Sequence, residues 1–383
     1  MQQIKGISDK IVDDLVNRAT ELGQGRTAGT VGFIDNDNII STRIKIIDGG
    51  NSGIPYRQLL SQFPGEKNRP LLEMINRLPD NAVMISIKPG KTGLIVSTGG
   101  INIFNLPIVK IGVKCGEKAG VGLQYPEKEF FRLASRSEKI QLKVLSAFTM
   151  EEEREALRRS SRLHLEYLQI SRELAVVTTA DKKVEVKPVA RKGRKIKSKY
   201  KIKEIDEKFA RILVEKSLAV EQGREVAAIG KVDQKGVIRQ AGSLIVGGMG
   251  YIPSRLLASS YQDISDLSLR EVYSQVMPPD CVIVHTHPGG TGVMHISDAM
   301  AGPGTWGLAI AAIGHTESGE IKGVNVITPS RRLFQLADEN EQLEQEFFKI
   351  NTSEEEVKLR KRRYQIAQEF TDLCQEIELS GGC

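Results

Sequence analysis

The stretch CVIVHTHPGGTGVMHISDA, residues 281–299, decides the fold that we expect for the C-terminal half of this 383-residue chain. Its first four residues are apolar, which is typical of a buried strand, and Pro288 then turns the chain. His285 and His287 end the strand, and because alternate residues of a strand project from one face, their imidazoles point the same way. Asp298 stands at the start of the next predicted helix.

Two imidazoles and one carboxylate are a donor set that suits zinc. The Gly-rich turn can bring Asp298 back toward His285 and His287, and three protein ligands leave a tetrahedral zinc with one position open for water. A His-x-His pair is often only structural, so spacing alone leaves open both a metal site and an ordinary loop. If a metal binds, the open position indicates a catalytic site rather than a structural one.

This segment resembles the JAMM motif of the MPN-domain metalloproteases, because an aspartate stands eleven residues after the second histidine of His-x-His-Pro. The surroundings are similar as well. Glu225 follows a predicted helix in a context like that of the family's catalytic glutamate, and the order of predicted elements over residues 205–337 also matches. The resemblance implies an α/β fold, with a JAMM-like (cytidine-deaminase-like) mixed-sheet domain in the C-terminal half.

The resemblance also implies a role for each site residue. His285, His287 and Asp298 would bind Zn²⁺, which acidifies a bound water, and Glu225 would carry the proton of that water to the leaving amine. The family usually has a serine three residues before the aspartate, where it supports the oxyanion. This chain has His295 there, which can donate a hydrogen bond to an oxyanion or act as an extra or competing metal ligand.

Changes in composition and hydrophobic period divide the chain into five segments. They are a small α+β domain of unknown role (1–126), a helical spacer (127–180), a basic linker (181–204), the JAMM-like domain (205–338, with 332–337 as its edge strand) and a charged helical tail (339–383).

Three features outside the motif are given ordinary interpretations. Gly90-Lys91-Thr92 resembles the end of a phosphate-binding loop, but that loop needs a glycine five positions earlier, where Ile85 lies in a predicted strand, so we expect a hairpin turn. His164 is interpreted as a surface or packing histidine of the spacer helix. His315 is expected in a surface loop.

The positive charge of the chain is concentrated in one segment. The formal net charge is +6, yet residues 182–203 hold eleven Lys or Arg and a single Glu, so the rest of the chain is slightly acidic. The segment predicts a solvated linker or a contact for nucleic acid or an acidic partner. Four scattered cysteines, the lack of an apolar run that could span a bilayer and the lack of a secretory signal predict a cytoplasmic protein without membrane association.

The leading functional prediction is a zinc-dependent metallopeptidase or isopeptidase that hydrolyses an amide or isopeptide bond with a metal-activated water. Its substrate would be a protein or peptide, with a ubiquitin-like conjugate as one option. Two alternatives stay open: a non-catalytic MPN-fold scaffold or assembly protein, and a nucleic-acid-associated factor that uses the basic linker. The sequence does not predict the oligomeric state.

Overall fold

The computed structural model describes residues 3–51, 53–63, 65, 67–94, 99–179, 200–220 and 222–381. Most of the predicted basic linker, and with it most of the 182–203 segment, lies outside these residues. Among the described residues, no helix has both the length and the apolar character needed to cross a membrane. The described cysteines, Cys115, Cys281 and Cys374, are free thiols.

The first domain is built on one nine-stranded mixed sheet. Its elements are β1 (Gly6–Ser8), α1 (Asp9–Leu22), β2 (Ala28–Ile34), β3 (Ile39–Arg43), β4 (Ile47–Asp48), α2 (Tyr56–Leu60), α3 (Leu71–Asn76), β5 (Ala82–Pro89), α4 (Gly99–Phe104), β6 (Ile108–Lys114), β7 (Glu117–Gln124), α5 (Lys128–Leu145), α6 (Met150–Ile170), β8 (Arg172–Glu173) and β9 (Ala175–Val177). The strand order is β8-β7-β6-β5-β2-β3-β1-β9, and β4 pairs with β2.

The second domain repeats this order of elements. They are β10 (Glu204–Asp206), α7 (Glu207–Val220), β11 (Val226–Val232), β12 (Val237–Gln240), β13 (Ile245–Val246), α8 (Ser254–Tyr261), α9 (Leu269–Glu271), a π-helical turn (Val272–Val276), β14 (Cys281–Pro288), α10 (Ile296–Ala299), a second π-helical turn (Met300–Gly304), β15 (Ala309–His315), β16 (Ile321–Ile327), α11 (Arg331–Phe347), α12 (Ser353–Asp372), β17 (Gln375–Glu376) and β18 (Glu378–Ser380). The strand order is β17-β16-β15-β14-β11-β12-β10-β18, and β13 pairs with β11.

Each sheet curls until its two edges nearly meet. In the first domain β8 pairs with β7 at one edge and β9 pairs with β1 at the other, although only Leu174 separates β8 from β9. The second domain does the same with β17 and β18, which are separated only by Ile377. A single short extended segment therefore bridges both edges, and the sheets are near-closed and barrel-like.

These observations correct the predicted fold class. The chain is not a JAMM-like mixed-sheet domain preceded by an unrelated small α+β domain and a helical spacer; it consists of two similar α/β domains. Helices α5 and α6 are not a spacer, because the strands that follow them complete the first sheet. The predicted edge strand at 332–337 is also wrong, since these residues lie in α11.

The duplication left short traces in the sequence that our sequence analysis missed. Pro-Gly-Lys-Thr-Gly at 89–93 corresponds to Pro-Gly-Gly-Thr-Gly at 288–292, and both follow the central strand of their sheet. Gly25-Arg26 and Gly223-Arg224 likewise precede β2 and β11. Scanning the chain for internal repeats would have revealed this correspondence.

Helices cover both faces of each sheet, which explains why the central strands are continuous apolar runs. On one face of β5, Val83 and Ile85 pack with the buried stripe of α1. On the other face, Ala82 and Met84 pack with α2 to α6. The second domain has the same layers, with α7 on one face and α8 to α12 on the other. Each fully buried Val, Leu, Ile, Phe or Met side chain contributes about 1.5–3 kcal/mol.

A buried arginine anchors the contact of the first domain with the second. Arg57 donates from Nε to Oδ1 of Asp338 at 2.7 Å. Glu341 accepts hydrogen bonds from the backbone N–H groups of Arg57 and Gln58, at 3.2 and 2.7 Å. Helix α11 of the second domain thus holds the first turn of α2.

A reciprocal contact lies at the corresponding positions of the other domain. Arg255 donates from Nε to Oγ of Ser135 at 3.0 Å, and Glu138 accepts from the backbone N–H groups of Arg255 and Leu256, each at 3.0 Å. Burial raises the pKa of both Glu138 and Glu341 to about 7. The two domains therefore contact each other through matching surfaces, as the two halves of a pseudo-symmetric dimer would.

Candidate metal centre

The central strand β14 presents two histidines on the sheet face that α8 to α12 cover. Cys281 and Ile283 of this strand pack into the core on that face. Because alternate residues of a strand project from one face, His285 and His287 lie on that face as well. His285 pairs with Ala227 of β11 on one side and with Ala312 of β15 on the other. Two neighbouring strands therefore hold the backbone of the first histidine rigidly.

The structure brings the three predicted metal ligands together. The Nε2 atoms of His285 and His287 are 2.9 Å apart. Asp298 lies with Oδ1 3.6 Å from Nε2 of His285 and Oδ2 3.8 Å from Nε2 of His287. Among the described residues, these three are the group of His, Cys, Asp and Glu side chains that could hold a metal ion.

The candidate ligand atoms lie close enough together to share one metal ion. Ligands about 2.0–2.1 Å from a zinc ion are about 3.4 Å from one another in a tetrahedron. The two imidazole nitrogens are 2.9 Å apart, and the distances of 3.6 and 3.8 Å to Asp298 run to its two different oxygens. One ligand atom from each of the three residues lies within 4.8 Å of the others. The residues present therefore fit a zinc ion with three protein ligands and a fourth position for water or substrate.

The electrostatics of the centre keep His287 and Asp298 in the forms that bind a metal. Burial and the nearby His285 lower the pKa of His287 to about 4, so its imidazole is neutral at pH 7. Burial acts to raise the pKa of Asp298, but the hydrogen bond and charge of His285 and the backbone N–H of His295 outweigh it and lower this pKa to about 2. A neutral imidazole and an ionised carboxylate are the forms that metal ions bind.

Glu225 stands immediately before β11 and next to the ligand triangle. It is 9% exposed, and its backbone is paired with that of Gly247 and Gly248 at 2.8 and 3.0 Å. Burial raises the pKa of the Glu225 carboxyl. The charge of His285 lowers this pKa, and the charge of Asp298 raises it. A carboxylate near enough to interact with two of the candidate ligands is suited to exchange protons with a water that a bound metal would hold.

His295 lies at the start of α10, and its side chain is exposed. Its backbone N–H donates to Oδ2 of Asp298 at 3.0 Å, which orients the carboxylate toward the two histidines. The ring of His295 is close enough for its charge to lower the pKa of His287. Whether His295 supports an oxyanion stays a prediction.

A buried polar network lies behind the strand, on the face opposite the metal ligands. Oγ1 of Thr286 accepts from the backbone N–H of Val226 at 3.0 Å and donates to Oγ of Ser217 at 3.3 Å. Nε2 of His315 lies 3.1 Å from the same Ser217 oxygen. The expectation that His315 lies in a surface loop is wrong, because it ends β15 and is 2% exposed. The network ties β11 to β14 and so fixes the strand that carries the ligands.

The loop that follows His287 passes directly over the neighbouring strand. A Cβ atom added to Gly314 would lie 2.2 Å from the backbone nitrogen of Gly292 and 2.4 Å from the carbonyl oxygen of Gly290. Gly112 of the first domain has the same relation to its own loop, at 2.2 Å from the nitrogen of Gly93. Only a residue without a side chain fits at either crossing.

We expect Gly314→Ala to weaken both the fold and the metal centre. The added methyl group must displace the 289–292 loop, which costs about 1–3 kcal/mol of stability and moves His287. Gly112→Ala creates the same clash in the first domain, so it should lower stability without changing zinc affinity. Thermal unfolding and zinc competition with a chelator measure the two effects. Equal zinc affinities for the two variants would contradict the expectation.

No protein-family model, curated protein or solved structure matches this chain. The geometry of the site and its surroundings therefore carry the functional argument.

Proposed function

We propose that this protein is a zinc-dependent hydrolase that cleaves amide or isopeptide bonds. The observation that carries the proposal is the triangle of His285, His287 and Asp298 with Glu225 beside it. Three ligands would leave one coordination position free, and Glu225, a carboxylate outside the ligand set, interacts electrostatically with His285 and Asp298. The resemblance of the motif to that of the JAMM metalloproteases supports the same chemistry.

Each residue has a separate task in this proposal. Zinc held by the three ligands would acidify a water molecule and polarise the carbonyl of the scissile bond. Glu225 takes the proton from the water and passes it to the leaving amine. The backbone N–H of His295 holds Asp298 in place, and the His295 ring is the candidate donor to the oxyanion.

The substrate that we propose is a protein or peptide, with a ubiquitin-like conjugate as one option. The segment between Asp298 and Ala309 is short, and a π-helical turn fills much of it. This segment therefore holds no large insertion beside the centre. We also propose a cytoplasmic location, because the described cysteines are free.

Protein purified without added metal should contain about one zinc per chain. Elemental analysis by mass spectrometry measures zinc, iron, nickel and manganese together, which matters because two histidines and one carboxylate also bind iron in some enzymes. His287→Ala should abolish the stoichiometric zinc, whereas His164→Ala, at an exposed histidine of α6, should not. A folded, metal-free protein that gains no stability when zinc is added would overturn the proposal.

A further inference from the structure

The first domain has other residues at the positions that correspond to the candidate metal ligands. In β2 and β5, Gly29 pairs with Ser86, just as Ala227 pairs with His285 in β11 and β14. Ser86 therefore occupies the position of the first histidine ligand. By the same register, Lys88 stands where the second domain has His287.

The residue that corresponds to Glu225 differs as well. Thr27 immediately precedes β2, as Glu225 immediately precedes β11. With Ser86 and Lys88 in place of two histidines, this site offers a cation where a metal ion would need a neutral ligand. The described residues of the first domain therefore form no second zinc centre of this kind.

A cavity of about 580 Å³ lies at this position, a size within the range of small-molecule sites. Most of its surface is apolar. The apolar residues that line it include Ile54, Leu59, Met84, Ile103 and Ile108.

Apart from Tyr56, the ionisable side chains that line the cavity are basic. They are Lys88, Lys91, Lys110 and, from α6, His164, and no carboxylate of the described residues lines the cavity. Lys110 pairs with Ser86 in the sheet, and the two side chains lie on the same face of the sheet. Among the described residues, neither Lys88 nor Lys110 has an ion-pair partner within 4.0 Å.

This arrangement leaves positive charge in apolar surroundings without a counter-ion. Burial, with the charge of Lys88 added, lowers the pKa of Lys110 to about 8. A bound anion would offset this cost, because two ammonium groups would donate charge-assisted hydrogen bonds to it. Thr27 and Ser86 add hydroxyl groups to the lining of the same cavity.

We propose that this cavity of the first domain binds an organic anion that has a carboxylate or phosphate group on an apolar body. The anionic group would lie between Lys88 and Lys110, and the apolar body would fill the cavity against Ile54, Met84 and Ile108. This proposal does not rest on the zinc chemistry of the second domain.

Calorimetric titration of the full chain with octanoate and with octyl phosphate tests the proposal. We expect at least one of the two anions to bind, one per chain, and their relative affinities distinguish a carboxylate from a phosphate ligand. Lys110→Met should weaken this binding by about tenfold or more, because it removes a charge-assisted hydrogen bond. Lys88→Met should also weaken the binding of the anion.

Two controls keep the test specific. Lys114→Met changes an exposed lysine of the same strand, β6, and should bind the anion as the unchanged protein does. Octylammonium has the same apolar chain with the opposite charge and should not bind. The proposal is wrong if neither anion binds, if octylammonium binds equally well, or if Lys110→Met binds the anion with unchanged affinity. Zinc content should be the same in all these variants.

Discussion

Glu225→Gln should lower turnover by about 10²–10⁴-fold while zinc content and folding stay unchanged, because the proposed mechanism makes Glu225 a general acid–base and not a ligand. Glutamine has nearly the same shape as glutamate, and the backbone of residue 225 is held by Gly247 and Gly248 whichever side chain is present. The measurement requires a substrate, which a screen of peptides and isopeptide-linked conjugates would supply. Elemental analysis of the same preparations gives the zinc content.

The ligand variants should behave differently from Glu225→Gln. His285→Ala and Asp298→Ala each remove one of three ligands and should lose zinc and activity together. If Glu225→Gln also loses zinc, then Glu225 is a ligand and its assigned role is wrong. If Glu225→Gln keeps full turnover, then the base is another residue.

Arg255→Ala should destabilise the protein by about 3–5 kcal/mol, since it leaves buried polar groups without partners. Arg255 is 1% exposed, and its guanidinium group donates to Oδ1 of Asn102 at 2.7 Å and to the carbonyl oxygens of Leu267 and Ile264 at 2.7 and 2.9 Å. One side chain therefore joins α4 of the first domain to loops of the second. Urea unfolding of the full chain measures the loss.

Arg239→Ala is the matched control in the same domain. The Arg239 side chain is 54% exposed and forms ion pairs with Asp206 and Asp233, a type of interaction that contributes about 1 kcal/mol or less. Similar unfolding midpoints for the Arg255 and Arg239 variants would show that the buried arginine does not stabilise the contact between the domains.

Local patterns in the sequence predicted several elements well. The apolar stripe of residues 8–22 forms α1, which begins at Asp9 and ends at Leu22. Thr149 and Glu152 form the capping box that their spacing predicts at the start of α6. These features depend on residues three or four apart, so they can be read without knowing the rest of the fold.

Local patterns did not reveal how the two sheets close. The strands that bridge the edges are two or three residues long, which is too short for a recognisable period. β9 pairs with β1 across almost the whole first domain, with Gly6 opposite Ala175. Without these pairings, residues 127–180 looked like a spacer and the first domain appeared to end at residue 126.

The sequence by itself determined which residues form the candidate metal centre: alternation along one strand aims His285 and His287 the same way, and the glycine-rich turn returns Asp298 to them. Only the tertiary structure decided what surrounds that centre. Burial of His315 and of Arg255, the pairing of two similar domains and the lysine-lined cavity all depend on contacts between residues far apart in the chain. Such contacts follow from how whole layers pack, and no local period in the sequence encodes them.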